Sequence, residues 1–269
     1  MKVDLESVDK GFSEKAKVYD DYFANHPVLR WARATIRMEV MSRVESPGSI
    51  LELNAGTGSD AEYFVNQGYR VHATDIAGGM ISAINEKIQA SKAPERFTVQ
   101  QVSFTDLDQV TQPPFDLVFS NFGGLNCIPQ LDPVAEQLPR LLAPGGYVVW
   151  VIMPPFCPWE LTNFLRGKFK IASRRLHRDG VIANVEGAQV QTWYFSAKRV
   201  RPAFPSGFHL IHKQAISLFC PPSYMDKFPH RYPKITRLLL SLDERLGHYA
   251  PFHNWGDFVV YTFRYDPSS

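Results

Sequence analysis

The sequence predicts an α/β protein built on a doubly wound, mostly parallel sheet. Short runs of apolar and β-branched residues alternate with segments of helical periodicity between residues 49 and 153, which is the pattern of successive β-α-β units. A glycine-rich turn follows the first apolar run directly, as expected where a strand leads into a helix. Strands are predicted at 49–53, 70–75, 97–102, 115–121 and 146–153. Helices are predicted to begin near Asp60, Gly78, Asp106 and Pro129.

The regions on either side of this alternation are also interpreted from local patterns. Two amphipathic segments, 14–24 and 27–43, precede the first strand. Pro154, Pro155 and Pro158 end the fifth strand, because proline cannot donate a hydrogen bond to a sheet ladder. Beyond them we expect a helical stretch at 160–175 and strands at 181–184 and 190–195.

The size and composition of the chain fit either one large α/β domain or a domain with a cap. Its 269 residues are 45% apolar, which is enough for a full core. The net charge of +2 gives no general attraction to polyanions, so no nucleic-acid partner is expected. Cys127, Cys157 and Cys220 are odd in number and far apart, which predicts reduced thiols. The polar N-terminus and the lack of a long apolar run predict a cytoplasmic protein.

The glycine turn carries the strongest functional signal. It contains the pattern Glu52-x-Asn54-x-Gly56-x-Gly58, and Asp75 ends the next strand. Glycines let a ligand approach the backbone, and a carboxylate at the end of the second strand can accept hydrogen bonds from both hydroxyls of a ribose. The pattern resembles the nucleoside-binding loop of class I S-adenosylmethionine (SAM) methyltransferases.

A dinucleotide site is the alternative interpretation of the same turn. Gly56, Gly58 and Ala61 also satisfy the fingerprint of NAD-dependent enzymes. Glu52 argues against NAD, because a pyrophosphate has no use for a carboxylate, whereas the resemblance places this acid near the methionine end of SAM. The runs at 114–121 and 141–151 are similar to the fourth and fifth strands of the methyltransferase sheet. SAM is therefore the predicted cofactor.

Asn54 departs from the family, which usually has glycine at this position. Asparagine tolerates left-handed backbone conformations, so we expect the loop to keep its shape. The alternative is that Asn54 marks a relative that has lost catalysis.

The resemblance implies a Rossmann-like sheet of seven strands whose last strand is antiparallel, with a helix at 196–204, a sixth strand at 208–218 and the last strand at 257–264. Two insertions leave the carboxyl ends of the strands, where open α/β sheets bind ligands, and are expected to form one lid over the cofactor. The expected regions are N-terminal helices covering the cofactor at 1–45, a SAM-binding core at 46–154, a lid insertion at 155–189, a core continuation at 190–218, a second lid insertion at 219–254 and the final strand at 255–269.

The resemblance also implies a set of cofactor-binding residues. They are Tyr19, Glu52, Asn54, Ala55, Gly56, Gly58, Asp75, Ile76, Met80, Ser103, Phe104, Ser120 and Asn121. Simpler roles are the alternatives for four of these residues. Asp75 is then a helix N-cap, Ile76 and Met80 are core residues, and Tyr19 is an aromatic residue packed on the sheet. Arg33 and Arg37 share one helix face by their spacing and either meet the SAM carboxylate or remain solvated.

The residues for the chemistry are less clearly marked. Asn121 follows the fourth strand, beside the reactive methyl group in the family, and either holds a ligand or simply ends the strand. His248 and His253 in the second insertion are candidate bases, because imidazole can accept a proton at neutral pH. The cysteines and histidines show no ligand spacing, so no metal is predicted.

Aromatic residues are abundant in both insertions. Trp159, Tyr224, Phe228 and Trp255 are predicted to line an apolar substrate pocket, with a lid core as the alternative. The predicted reaction is methyl transfer to O, N or activated C of a small apolar or aromatic acceptor. The alternative to an enzyme is a scaffold or regulatory protein that binds SAM without catalysing a reaction.

One strong charge cluster lies in the first insertion. Residues 166–178 contain six lysines and arginines and no acid. The segment could bind phosphate groups of a substrate, a carrier protein or an anionic membrane surface, or it could be a solvated helix face.

Overall fold

A seven-stranded sheet of order β3-β2-β1-β4-β5-β9-β8 forms the centre of the computed structural model, which describes residues 20, 23, 25–185 and 188–267. The first five strands are β1 (Ser49–Leu53), β2 (Arg70–Asp75), β3 (Phe97–Gln101), β4 (Phe115–Ser120) and β5 (Leu142–Ile152). A separate hairpin pairs β6 (Val181–Val185) with β7 (Ala188–Thr192), and β8 (Phe208–Ile216) and β9 (Phe258–Tyr265) complete the main sheet.

The direction of the strands confirms the predicted fold. Strand β1 pairs in parallel with β2 and β4, while β3 and β5 extend the parallel region. Strand β9 is antiparallel to both β5 and β8. The sheet is therefore doubly wound with its last strand antiparallel, and the carboxyl ends of β1, β2 and β4 meet at one edge, where such sheets bind ligands.

The central strands are buried on both faces, which explains why the sequence shows them as continuous apolar runs. Ile50 and Leu117 belong to one hydrophobic cluster, whereas their chain neighbours Leu51 and Val118 belong to another. Successive side chains of a strand point to opposite faces, so the two clusters are the cores above and below the sheet.

Helices connect these strands and extend the two insertions. They are α1 (Pro27–Met41), α2 (Ser59–Asn66), α3 (Gly78–Ala90), α4 (Asp132–Ala135), α5 (Leu138–Leu141), α6 (Pro158–Leu161), α7 (Phe169–Ser173), α8 (Ala197–Ala203), α9 (Lys227–Arg231) and α10 (Pro233–Leu246). None of the helices in the described part of the chain is both long and apolar enough to span a membrane.

Three sequence predictions of local structure are corrected. Strand β5 begins at Leu142, four residues before the predicted start, and the helix expected from Asp106 is a single 3-10 turn at Leu107–Gln109. The helical stretch predicted at 160–175 is divided into short turns, because Gly167 adopts a left-handed conformation with φ of +69°. Most of the amphipathic segment predicted at 14–24 lies outside the described residues.

The two insertions contact each other where they leave the sheet. The Trp159 indole nitrogen donates to the Leu218 carbonyl oxygen at 3.0 Å, and the Trp159 ring lies 6.3 Å from the ring of Phe228. Asp243 near the end of α10 is fully buried and accepts hydrogen bonds from the backbone of residues 218, 219 and 220 at 2.9–3.0 Å. The Trp159 contacts join the first insertion to residues 218–228, and Asp243 fixes residues 218–220 to α10.

Buried ion pairs attach the first insertion to the sheet. The Arg175 guanidinium is 4% exposed and donates to Glu160 at 2.7 Å and to Asp257, just before β9, at 2.6 Å. Arg174 donates to the same Glu160 carboxylate at 2.7 and 3.0 Å. Burial opposes the charge of Glu160, but the two arginines outweigh it and hold the pKa of this carboxyl below its usual value. Two members of the charge cluster predicted at 166–178 are thus structural.

Candidate functional site

The turn between β1 and α2 has the conformation that the sequence predicts. Asn54, Gly56 and Gly58 have φ of +46°, +57° and +74°, so asparagine does adopt the left-handed conformation at the position of the family's glycine. A Cβ atom at Gly58 would lie 2.8 Å from Ile84 on α3, whereas a Cβ at Gly56 would have no atom within 4 Å. Gly58 therefore allows close helix packing, and the backbone of Gly56 faces open space where a ligand can approach.

The Asn54 side chain links the turn to the end of β4. Its Oδ1 accepts a hydrogen bond from the Ser120 hydroxyl at 2.7 Å, and its Nδ2 donates to the Asn121 carbonyl at 3.3 Å. The amide lies against Gly124, where any Cβ would overlap it. The asparagine that departs from the family is therefore accommodated by a hydroxyl and by a glycine on the neighbouring loop.

This arrangement predicts a coupled pair of substitutions. Gly124→Ala should destabilise the protein by about 1–3 kcal/mol and weaken SAM binding, because the new methyl group displaces Asn54. In an Asn54→Gly background the same change should cost little, since the overlapping amide is gone. Thermal unfolding and calorimetric titration of the two single variants and the double variant measure the coupling. Additive effects would contradict the proposed contact.

Asp75 at the end of β2 also supports the turn. Its two carboxylate oxygens accept hydrogen bonds from the backbone N–H of Gly56 at 2.8 Å and of Ala77 at 2.9 Å. Ala77, not Asp75, is the N-cap residue of α3. The carboxylate lies half-buried beside the open backbone of Gly56, a position from which an acceptor can serve a ribose.

Glu52 has the chemistry of a ligand-binding group that the protein itself leaves incomplete. Its side chain is 2% exposed, and Oε2 has no hydrogen-bond partner among the described residues. Burial first, and then the charge of Asp60, raise the pKa of this carboxyl well above its usual value, although Arg33 and Arg37 oppose the shift. A buried carboxyl oxygen that has no partner within the described part of the chain can accept a hydrogen bond from a ligand.

A charge network that no local pattern of the sequence marks lies next to Glu52. Asp60 on α2 binds Arg37 at 2.6 Å and Arg33 at 3.4 Å, both from α1. The Asn121 amide donates to the second oxygen of Asp60 at 2.8 Å. Arg33 also lies over the ring of Phe122, at 5.3 Å. The interpretation of both arginines as solvated charges is wrong, because they connect α1 to the cofactor turn.

The predicted catalytic role of Asn121 is constrained by these bonds. Its Nδ2 is bound to Asp60, and its Oδ1 accepts a hydrogen bond from the backbone N–H of Phe122 at 2.8 Å. Phe122 has φ of +44°, a strained conformation for a non-glycine residue that occurs most often at functional sites. In this structure Asn121 holds the turn after β4 in place.

Asp20 closes the turn from the N-terminal side. Its carboxylate accepts hydrogen bonds from the hydroxyls of Thr57 and Ser59 and from Lys87 at 2.6 Å. Burial alone would raise the pKa of Asp20, but the three donors outweigh it and lower the pKa. The neighbouring Tyr19, predicted near the methionine end, lies outside the described residues.

The residues predicted near the adenine ring follow β2 and β3. Met80 is 2% exposed and belongs to the core, whereas Ile76 is half-buried. The Ser103 hydroxyl is paired with the Thr105 hydroxyl at 2.7 Å, and Phe104 packs against the hydrophobic cluster of Leu51. The contacts of Met80 and Phe104 are thus core contacts, and the role of these residues at the adenine ring stays a prediction.

The two candidate histidine bases lie elsewhere. The Nδ1 of His253 donates to the His248 carbonyl oxygen at 3.2 Å, and the adjacent Asn254 accepts a hydrogen bond from Lys213 in the middle of β8. Strand β8 is four strands from β1, or about 19 Å at ordinary strand spacing. Burial and the charge of Lys213 lower the pKa of His253. The structure does not bring either histidine to the cofactor turn.

The four aromatic residues predicted at the substrate lie in the insertions or close to them. Trp159 and Phe228 face each other, and Tyr224 lies 6.0 Å from the guanidinium of Arg174. Trp255 packs 5.4 Å from Phe156. Tyr224 is exposed, and the other three are half-buried.

Comparison with known proteins agrees with this geometry. Residues 50–146 match the methyltransferase domain family. The chain is 27% identical over 166 residues to malonyl-[acyl-carrier protein] O-methyltransferase 2 from Ilyobacter polytropus. The aligned residues make up 61% of this chain and 60% of that relative. Malonyl-[acyl-carrier protein] O-methyltransferase from Pseudescherichia vulneris is 24% identical over 71% of this chain and 70% of its own length.

Solved structures share the fold over nearly the whole chain. The CcbJ methyltransferase of Streptomyces caelestis has a TM-score of 0.61 at 17% identity, covering 94% of this chain and 96% of its own. The 1,6-didemethyltoxoflavin-N1-methyltransferase of Burkholderia thailandensis, solved with S-adenosylhomocysteine, has a TM-score of 0.55 at 17% identity, covering 97% and 88%. The [4+2]-cyclase SpnF has a TM-score of 0.53 at 12% identity, covering 86% and 80%.

The fold, the glycine turn and the matching domain define a class. Residues 50–146 form a methyltransferase domain, and the chain has the fold of class I SAM-dependent methyltransferases, whose cofactor is S-adenosylmethionine. The prediction of a SAM-dependent methyltransferase from the glycine turn and Asp75 is thereby confirmed at the level of the superfamily.

Proposed function

We propose that this protein transfers the methyl group of SAM to O, N or activated C of a small apolar or aromatic acceptor. The observation that carries the proposal is that Oε2 of buried Glu52 has no partner among the described residues, in a turn where the backbone of Gly56 faces open space. A scaffold that needed only its fold would gain nothing from burying an acid without a partner, since this costs stability.

The residues of this chain would bind and orient the cofactor rather than activate it. SAM supplies a methyl carbon already activated by its sulfonium, so positioning and exclusion of water are the main tasks left to the protein. Glu52 would accept a hydrogen bond from the ammonium group, and Asp75 from the ribose hydroxyls. Arg33 and Arg37 hold Asp60 and thereby keep α1 against the turn.

The acceptor would bind beneath the two insertions. Contacts between Trp159, Phe228 and the Leu218 carbonyl join 155–189 to 219–254, which supports a shared lid. Half-buried aromatic rings suit an apolar or aromatic acceptor, because they offer contact area without many polar groups.

A carboxyl group on a carrier-bound acyl chain is the second candidate acceptor. The names of the two curated relatives, both malonyl-[acyl-carrier protein] O-methyltransferases, favour it. A non-catalytic scaffold is the remaining candidate, because the same fold also occurs in a neighbour described as a [4+2]-cyclase and therefore does not by itself imply methyl transfer.

One experiment separates the three candidates. The purified protein is titrated with SAM by calorimetry and then incubated with methyl-labelled SAM and a cell extract that is fractionated by size. We expect binding, and label in the small-molecule fraction. Label in the protein fraction would favour the carrier-bound acceptor, and SAM binding without any transfer would favour the scaffold.

The aromatic residues of the lid give a specific prediction. Trp159→Ala and Tyr224→Ala should each lower kcat/KM for the acceptor at least about tenfold, because their proposed contacts are to the acceptor. The affinity for SAM, measured by calorimetry, should change little. Phe164→Ala, on an exposed ring of the same insertion, is the control. A loss of SAM affinity equal to the loss of acceptor turnover would refute the assignment.

A further inference from the structure

The first insertion exposes an unusual concentration of large apolar side chains. Seven of the fourteen exposed large hydrophobic residues in the described part of the chain lie in residues 161–182. They are Leu161, Phe164, Leu165, Phe169, Ile171, Leu176 and Ile182. Leu165 is 92% exposed and Ile182 is 71% exposed. Apolar residues grouped in this way mark an interaction surface, whereas single ones do not.

The same segment, which we call the basic-apolar surface, is rich in cations. Lys168, Lys170, His177 and Arg178 are exposed, and Asp179 is the one acid among residues 161–182. The nearest preceding carboxylate, Glu160, is buried and bound by Arg174 and Arg175. It therefore does not neutralise the exposed lysines.

We propose that the basic-apolar surface docks on an anionic lipid bilayer. Lysine and arginine attract anionic headgroups, while leucine and phenylalanine enter the boundary between headgroups and acyl chains. Lys168 and Lys170 flank Phe169, so their alkyl stems can lie beside the apolar side chains while the ammonium groups reach the headgroups.

The arrangement of these residues favours a bilayer over a protein partner. The core of a protein interface is depleted in lysine, whereas here lysines alternate with the apolar residues. Five of the seven apolar residues lie on three short helical segments, Phe164–Arg166, Phe169–Ser173 and Arg174–Leu176.

The surface is firmly connected to the rest of the protein. Arg175 joins it to Asp257 beside β9 through a buried ion pair. Tyr224, one of the predicted substrate residues, lies 6.0 Å from Arg174 at its margin. Docking would thus bring the proposed lid close to the lipid phase, from which an apolar acceptor could enter. Docking itself requires no methyl transfer and is tested without it.

Sedimentation with vesicles tests the proposal. The full chain is mixed with vesicles of phosphatidylcholine, alone or with phosphatidylserine, at low and high salt. We expect binding to the mixed vesicles that weakens with salt and is much weaker without phosphatidylserine. The double variant Lys168→Glu with Lys170→Glu should lose at least about 30-fold in affinity for the mixed vesicles. Leu165→Ser with Phe169→Ser should also weaken binding, although the charge is unchanged.

A matched control separates this surface from net charge. Lys92→Glu with Lys198→Glu makes the same change in charge on exposed lysines outside the surface, and it should bind vesicles nearly as the wild type does. Calorimetric SAM binding checks that every variant is folded. The proposal is overturned if the wild type does not bind the mixed vesicles, or if the control loses as much affinity as the lysine variant. It is equally overturned if the surface mediates only self-association or only binding to an acidic acyl-carrier protein.

Discussion

Replacing Arg175 by methionine is expected to lower the free energy of unfolding by about 3–5 kcal/mol, the cost of removing one partner from a buried ion pair. Arg175 is 4% exposed and bridges Glu160 to Asp257. Glu160 keeps its bonds to Arg174 at 2.7 and 3.0 Å, so most of the cost should fall on Asp257, whose carboxylate would lose its guanidinium partner. Urea unfolding followed by circular dichroism measures the change.

The same experiment has a matched control in the next basic residue. Arg178 is exposed, and Arg178→Met should change stability by less than about 0.5 kcal/mol. The double variant Arg175→Met with Asp257→Leu should recover part of the loss, because no unpaired carboxylate remains. If Arg175→Met and Arg178→Met unfold at the same urea concentration, the buried bridge does not stabilise the first insertion.

Arg175 also shows where interpretation of the sequence reaches its limit. Arg175 is buried and Lys170 is exposed, but both are cations within the basic segment 166–178, so the local sequence does not distinguish them. What distinguishes them is a carboxylate 82 positions away, and no local pattern encodes that distance. Arg33 and Arg37 illustrate the same point, since Asp60 is recognisable in sequence only as the start of a helix.

The parallel strands were predictable for a physical reason. A strand buried on both faces is mostly apolar, so β1, β2 and β4 stand out in the sequence as short runs rich in apolar residues. The glycine turn was predictable because only a few residue types adopt three left-handed conformations in close succession. The elements beyond β5 were less accurately bounded, since their short turns end at single residues such as Gly167.

The candidate site combines local and distant contributions in the same way. Glu52, Gly56 and Asp75 follow from spacing along the chain, and the structure brings them together at the ends of β1 and β2. Asp20 and Ser120 complete the turn from distant positions, through hydrogen bonds that spacing along the chain does not specify. In the described part of the chain, His253 contacts the His248 carbonyl and no residue of this turn, so the group that would remove a proton from an acceptor stays a prediction.

Asp75→Ala is expected to weaken SAM binding by about 1–3 kcal/mol, or about 5- to 150-fold in Kd, through loss of charge-assisted hydrogen bonds. The structure adds a second cause, because the carboxylate also accepts from the backbone N–H of Gly56 and Ala77. Calorimetric titration with S-adenosylhomocysteine measures the loss. Glu86→Gln, which removes an exposed carboxylate from α3, is the control and should bind as the wild type does.

The ribose contact and the support of the turn can be separated by changing the ligand as well as the protein. If Asp75 accepts hydrogen bonds from the ribose, the wild type should bind the 2′-deoxy analogue of S-adenosylhomocysteine more weakly than the parent compound. Asp75→Ala should then bind the two compounds almost equally, because the acceptor of that hydroxyl is gone. If instead Asp75 only holds Gly56 and Ala77, the variant should bind both compounds more weakly than the wild type does. The ratio of its affinities for the parent compound and the 2′-deoxy analogue should then equal the wild-type ratio. Equal discrimination in the two proteins would therefore remove Asp75 from the ribose site while leaving its role in the turn intact.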